Sequence, residues 1–296
     1  MKAEDNMKAE DLVLFILSHN SPDKCETLDL FKSVNFKGKI YIIIDDGDKF
    51  VDRYKERYGD SLVIFSKGDY LDSIDLGGSL SNLKSLSVPT FVRNAVEDKA
   101  RQMGYDHCIV ADDDIRRFVF RPVINDMDKV PYIEVTDINE PLLEYYNFMK
   151  DCDIAAVGMG AGNMYIGGKK GILSGTFIKR RFVTNMYMRN LSHDIKWSLP
   201  NDDLGTCIRY GAQGELLLSL PYVQIICRPQ YTQPGGGNKQ NGMEDYYKST
   251  DLFNMFYPNL MAEPSFCKVQ KYGDGYRTRL SLENAFPKIV DEKYKI

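Results

Sequence analysis

Short apolar runs that each end in a polar cluster constrain this chain more than any other feature. LVLFIL at 12–17 leads into Ser18-His19-Asn20, IYIII at 40–44 into Asp45-Asp46-Gly47, and HCIVA at 107–111 into Asp112-Asp113-Asp114; LVIF at 62–65 is a further run of the kind. Runs of this length, rich in Ile, Val and Leu, are buried strands rather than helices. Between them lie stretches of helical spacing. Cys25, Leu28 and Phe31 share one face within 24–34, and Val92, Val96 and Met103 share one between Pro89 and Met103. Ser87 suits the N-cap of that second helix, Pro89 its first turn and Gly104 its C-cap. Strand–helix alternation implies right-handed crossovers and an α/β fold with a mostly parallel sheet flanked by helices. Ligands in such sheets bind beyond the carboxyl ends of the strands. His19-Asn20, Asp45-Asp46 and Asp112–Asp114 all fall at that edge.

The second half is less regular. IAAVGM (154–159), GILSGTFI (171–178) and VQIIC (223–227) read as strands, 179–195 as a helix, and a further helix starts at Asn201-Asp202-Asp203. Residues 229–242 are a Gly-, Pro- and Gln-rich loop. MKAED occurs twice at the start, so residues 1–10 are expected to be disordered. Residues 11–256 then make one catalytic domain, 11–125 its donor-binding half and 126–256 its acceptor half, with 257–296 a tail packed on the domain.

A chain of 296 residues, 43% hydrophobic, can bury a large core. No apolar run approaches the roughly 20 residues of a membrane-spanning helix, and no signal peptide stands out. Six cysteines are spread singly, without a CxxC pair, as in a reduced, cytoplasmic protein with no structural zinc. The net charge of −4 does not mark a nucleic-acid binder, but its distribution is uneven. From Ile154 to His193 there is no Asp or Glu, while Lys169, Lys170, Lys179, Arg180, Arg181 and Arg189 fall in the same stretch. Such a segment turns a basic face to an anionic partner, or is simply a solvated face.

Carboxylates at positions i and i+2 after a buried strand suit a hard divalent cation, which in turn holds a diphosphate. Asp202 and Asp203 at a helix start supply either a general base or ordinary helix capping. His193 is a candidate metal ligand, phosphate contact or DNA contact, or a structural histidine, and Trp197, the only tryptophan, either stacks on a sugar or base or fills the core. Gly158, Gly160 and Gly162 form GxGxG, a poor match to a dinucleotide fingerprint.

Segment 90–115, TFVRNAVEDKARQMGYDHCIVADDDI, resembles the core signature of GT-A-type glycosyltransferases: an Arg-Asn pair on a helix, a strand, then Asp-x-Asp. YIIIDDGD (41–48) resembles that family's nucleotide-binding turn, and SHNSPDKCETLDLF (18–31) its first strand–loop–helix, with Ser21 where arginine is usual. The resemblance covers about residues 12–116. It implies a GT-A-like, Rossmann-like fold and a UDP-sugar donor with Mn²⁺ or Mg²⁺ as cofactor. It further implies His19, Asn20, Asp45 and Asp46 around the nucleoside, Arg93 near the diphosphate, Asp112 and Asp113 at the donor, and Asp114 with Asp112 on the metal. Arg93 could instead pair with Glu97 on its own helix.

The charge pattern is similar to that of phage-type enzymes that glycosylate hydroxymethylpyrimidines in DNA, related to the base-J glucosyltransferases. That branch implies 5-hydroxymethylcytosine as acceptor and Lys169, Lys170, Lys179, Arg180, Arg181 and Trp197 as its contacts. Tyr165, Phe177, Phe182 and Tyr187 would stack on bases. The rival readings are transfer to a surface polysaccharide or protein, a nucleotidyltransferase, and an inactive DNA-binding module of the same fold.

Overall fold

The computed structural model describes residues 7–72, 89–120, 133–161, 182–198, 202–228, 254–255 and 257, and the backbone of 263–269 and 273–279. Elements run β1 (Val13–Leu17), α1 (Glu26–Ser33), β2 (Lys39–Asp45), α2 (Val51–Tyr58), β3 (Leu62–Phe65), α3 (Pro89–Gln102), β4 (His107–Asp112), β5 (Ile115–Phe120) and β6 (Ile133–Glu134). They continue α4 (Asn139–Asp151), β7 (Ala156–Ala161), β8 (Met186–Asn190), α5 (Asp202–Ala212), β9 (Leu217–Cys227), β10 (Glu263–Val269) and β11 (Gly273–Arg279).

Nine strands form one sheet in the order β3-β2-β1-β4-β8-β7-β9-β5-β6. β1, β2, β3 and β4 pair in parallel, as do β7 and β9, whereas β8 and β5 run against their neighbours. The sheet is therefore mixed, with most strands pointing one way. β10 and β11 form a separate antiparallel pair.

Both faces are covered, which explains why the central strands read as unbroken apolar runs. Alternate residues of β1 point to opposite faces. Val13 and Phe15 pack with Phe91 and Ala95 of α3 and Cys207 and Ile208 of α5. Leu12, Leu14 and Ile16 pack with Phe31 of α1, Tyr54 of α2 and Leu142 of α4. α3 ends as its sequence implies: Gly104 takes φ +85° and the Tyr105 N–H closes on Ala100 O at 3.0 Å. Ser87, the expected cap at its start, lies outside the described residues, as do 171–178 and 229–242.

One expectation is corrected. The helix expected over 179–195 gives way to β8, an antiparallel strand inserted between β4 and β7. All five of its residues are buried, so MYMRN has no exposed face to reveal its period. At the start of the described residues, Ala9–Asp11 form a 3₁₀ turn beside α4, and the Lys8 N–H donates to Asp11 Oδ2 at 3.2 Å. Among the described residues no helix is long and apolar enough to cross a membrane. The apolar run at 223–227 is only the end of β9, which starts at Leu217. Its ladder with β7 jumps from Leu220 to Gln224, a bulge that takes Pro221 out of the pairing.

A buried ion pair ties the two halves together. Arg189 of β8 donates through Nε and Nη2 to Glu97 of α3 at 2.7 and 3.0 Å, and Trp197 Nε1 donates to the same carboxylate at 3.0 Å. Arg189 also donates to the carbonyls of Ala155 and His193. Removing one partner of a buried pair strands the other charge. Glu97→Ala should therefore lower unfolding free energy by about 3–5 kcal/mol in urea titrations. Replacing Glu97 and Arg189 together with Leu and Met should cost clearly less, and a single mutant within about 1 kcal/mol of wild type would refute the assignment.

Candidate functional site

The carboxyl ends of β1, β2 and β4 meet at one edge of the sheet, as the strand-end clusters predicted. At the β1–β2 corner, Asn20 adopts φ +54°, a left-handed conformation that Asn tolerates. Its N–H donates to Asp48 Oδ2 at 2.7 Å, and its side-chain nitrogen lies 2.6 Å from His19 Nε2. His19 Nδ1 is 3.2 Å from Asp45 Oδ2 and 3.5 Å from Asp48 Oδ2, while Lys67 Nζ is 3.2 Å from Asp45 Oδ1. Burial pushes the Asp45 carboxyl up, but His19 and Lys67 overcome it and hold it below the usual carboxylate range. Asp46 is exposed beside it. His19, Asp45 and Asp48 stand close enough to share a cation. Their oxygens are already met by His19, Lys67 and the N–H groups of Asn20, Gly47 and Phe50, so the corner is a rim of fixed donors and acceptors suited to a base edge or ribose. Asp48 and Lys67 were missed; the second acid of Asp46-Gly47-Asp48 was the available signal.

Beyond β4 the three aspartates form the turn into β5, and α1 holds it from beneath. Thr27 Oγ1 donates to Asp112 O at 2.6 Å and accepts from the Ile115 N–H at 2.9 Å. Arg228, just past the end of β9, donates its N–H to Asp114 O at 2.9 Å, and its guanidinium pairs with Glu26 of α1. Asp112 and Asp113 take different partners. Asp112 Oδ2 accepts from Asn185 Nδ2 at 2.8 Å and Asp113 Oδ2 from Ser18 Oγ at 3.1 Å. Asp114 Oδ1 is buried and has no hydrogen-bond partner.

Burial, then Asp114 and Asp203, push Asp112 up to about 7 against the pull of Arg93; burial and Asp114 push Asp113 to about 7. Burial also raises Asp114, opposed by Arg228. An orphaned carboxylate oxygen among crowded carboxyl groups is a donor set that a hard dication fits.

The second acid pair opens α5. Arg93 Nη1, reaching across from α3, hydrogen-bonds both Asp202 Oδ2 and Asp203 Oδ1. Thr184 Oγ1 lies 3.0 Å from Asp203 Oδ2. Burial and Asp203 raise the Asp202 carboxyl to about 6 against Arg93. The Asp203 side chain is 28% exposed and that of Asp202 14%, so Asp203 is the more accessible acid.

Several expected roles do not fit this geometry. The Arg93 side chain is 3% exposed, occupied by the two acids and lying 5.1 Å over the Trp197 ring, so it is not open to a donor diphosphate. It does not pair with Glu97 either, which takes Arg189. Trp197 is fully buried and cannot stack on an acceptor. Phe182 and Tyr187 are likewise core residues. His193 lies between Glu215 (Nδ1 to Oε2, 2.7 Å) and Asp153 (Nε2 to Oδ1, 3.0 Å). It follows β8, whose antiparallel course pairs Asn190 with His107 at the start of β4, so His193 sits at the opposite end of the sheet from the aspartates and is not their metal partner. Arg189 is fully buried and belongs to no basic face. A Cβ on Gly158 would stand 3.2 Å from Ser219 Oγ and Val183, so that glycine serves strand packing. Lys169, Lys170, Lys179, Arg180, Arg181, Tyr165 and Phe177 lie outside the described residues.

A family model described as TET-associated glycosyltransferase matches residues 12–236. No curated protein matches the chain. Among solved structures, glucosyl-3-phosphoglycerate synthase from Mycobacterium tuberculosis, in complex with Mn²⁺, UDP and phosphoglyceric acid, is similar at 11% identity over 92% of this chain and 88% of that one, with a TM-score of 0.42. The structure of a mycobacterial protein is similar at 9% identity over 93% and 86%, with a TM-score of 0.44.

The Asp113 carboxyl titrates near 3.8 when unfolded and near 7 when folded, so its ionisation costs stability that grows as pH rises from about 4 and is complete above 7. In metal-free buffer, Asp113→Asn should raise the melting temperature at about pH 8 and change it little at about pH 4.5. No gain at the higher pH would refute an uncompensated carboxyl.

Proposed function

Since the chain belongs to the TET-associated glycosyltransferase family, we propose that it moves a sugar from a UDP-sugar to the hydroxyl of 5-hydroxymethylcytosine in DNA, with Mn²⁺ or Mg²⁺ as cofactor. The observation that carries this reading is the convergence at one sheet edge of the β1–β2 polar corner, the Asp112–Asp114 turn and the Asp202-Asp203 pair. The family's association with TET favours a hydroxymethylated cytosine as acceptor, and the acid-free segment from Ile154 to His193 favours a polyanion. The finer resemblance to phage-type and base-J enzymes belongs to the same proposal.

His19, Asn20, Asp45 and Asp46 hold the nucleoside. Asp114, with its unpartnered Oδ1, and Asp112 would hold the cation, which would supply positive charge to the donor diphosphate. Asp203 accepts the proton of the acceptor hydroxyl as its oxygen bonds to the anomeric carbon and the bond from that carbon to the UDP oxygen breaks. Arg93 holds one oxygen of the Asp203 carboxylate and so orients it. The single displacement inverts the anomeric centre. A cytosine within a duplex has to leave the stack to present its hydroxymethyl group.

Purified protein is given Mn²⁺, a panel of UDP-sugars and DNA containing cytosine or 5-hydroxymethylcytosine, and the digested nucleosides are weighed. A pentose or hexose increment on the hydroxymethylated base alone is the expected result. Metal-dependent UDP release without an increment would remove DNA as acceptor and favour a polysaccharide or protein. No UDP release with any donor would overturn the donor assignment. Asp114→Asn should reduce turnover by about two orders of magnitude or more, and Asp203→Asn by roughly 10²–10⁴-fold, each with an intact fold.

A further inference from the structure

We propose that Thr184 and Asn185, which lead into β8, form a brace that fixes Asp112 relative to Asp203; this rests on the reading of Asp112 as a cation-side carboxylate and Asp203 as general base. Asn185 grips Asp112 twice. Its Nδ2 donates to Asp112 Oδ2 at 2.8 Å, and its carbonyl accepts the Asp112 N–H at 2.8 Å. The neighbouring Thr184 Oγ1 lies 3.0 Å from Asp203 Oδ2 and 3.1 Å from Asn185 Oδ1. A hydroxyl has one proton and both neighbours are acceptors, so the proton goes to the carboxylate, the stronger of the two. Arg93 holds the other oxygen of Asp203, so both its oxygens are fixed.

The two acids are 91 positions apart in sequence and sit on different elements, yet a single dipeptide touches both. Their separation is therefore set across one peptide unit and does not depend only on how α5 packs on the sheet. The backbone suits this role, because Asn185 adopts φ +54°, where Asn is tolerated and β-branched or bulky residues are strained. Thr184 and Asn185 act through the acids and are positioning residues. Outer partners of this kind orient ligating carboxylates, and their loss weakens metal affinity or activity by about 10–100-fold.

The test measures Mn²⁺ binding in the presence of UDP, from the electron-spin resonance of free Mn²⁺, together with kcat and KM for the donor. Asn185→Gly keeps the left-handed backbone and removes the amide; Mn²⁺ affinity should fall about 10–100-fold. Asn185→Asp keeps the shape, sets a carboxylate against Asp112, and remains informative if the glycine variant fails to fold. Thr184→Val should leave Mn²⁺ affinity unchanged and lower kcat about tenfold at constant KM, and Thr184→Ser should restore it. Unchanged Mn²⁺ affinity in both Asn185 variants, beside a wild type that binds Mn²⁺, would overturn the brace alone. A wild type that binds no Mn²⁺ with UDP would overturn the reading of Asp112 and the brace with it.

Discussion

One face of α3 carries Arg93 and, a turn later, Glu97, and both are buried. A helix that buries two opposite charges must find partners for each, since an unpaired buried charge would cost more than the fold can spare. Glu97 takes Arg189 from β8 and the Trp197 indole, and Arg93 takes the two acids that open α5. Asn94, between them, donates to Trp197 O and accepts the Trp197 N–H, at 2.9 and 3.0 Å. Three successive polar contacts thus dock the second half of the chain onto the first. The site at the sheet edge inherits its geometry from that docking.

The same edge shows the opposite economy. Asp112, Asp113 and Asp114 are crowded and partly withdrawn from water, and their carboxyls are pushed upward although Arg93, Arg228 and Arg116 pull on them. A fold shaped for stability alone would not keep three acids in one turn. Their backbone is nonetheless firmly held by Thr27 and Arg228. Rigid support under destabilised side chains is what the proposed cation site needs, since there the ligand rather than the protein would complete the charge balance.

The sheet edge was legible because its signals are local. Each strand and the polar residues after it are contiguous, so period and order sufficed to place His19-Asn20, Asp45-Asp46 and Asp112–Asp114 at one edge. The contacts that assign roles are not local. Arg93 meets acids 109 and 110 positions away, and its neighbour in sequence, Asn94, meets Trp197 103 positions away. No spacing rule reports such pairs. Trp197 looked like a recognition residue because it is the only tryptophan, and Arg189 like part of a basic face because the segment lacks acids. Burial, which a lone sequence does not display, decides both.

The misplacement of His193 has a single origin in the direction of β8. In a sheet whose strands mostly point one way, the functional edge collects the carboxyl ends of those strands and the amino ends of any strand running against them. β8 runs against β4 and β7. Thr184 and Asn185 at its start therefore face the aspartates, and His193 beyond its end lies at the far side. Reading 179–195 as a helix removed the strand, and with it the rule that divides its two ends. The five-residue strand thus decides both which neighbouring side chains can take part in the chemistry and which, however suggestive in sequence, serve only to hold the opposite end of the sheet.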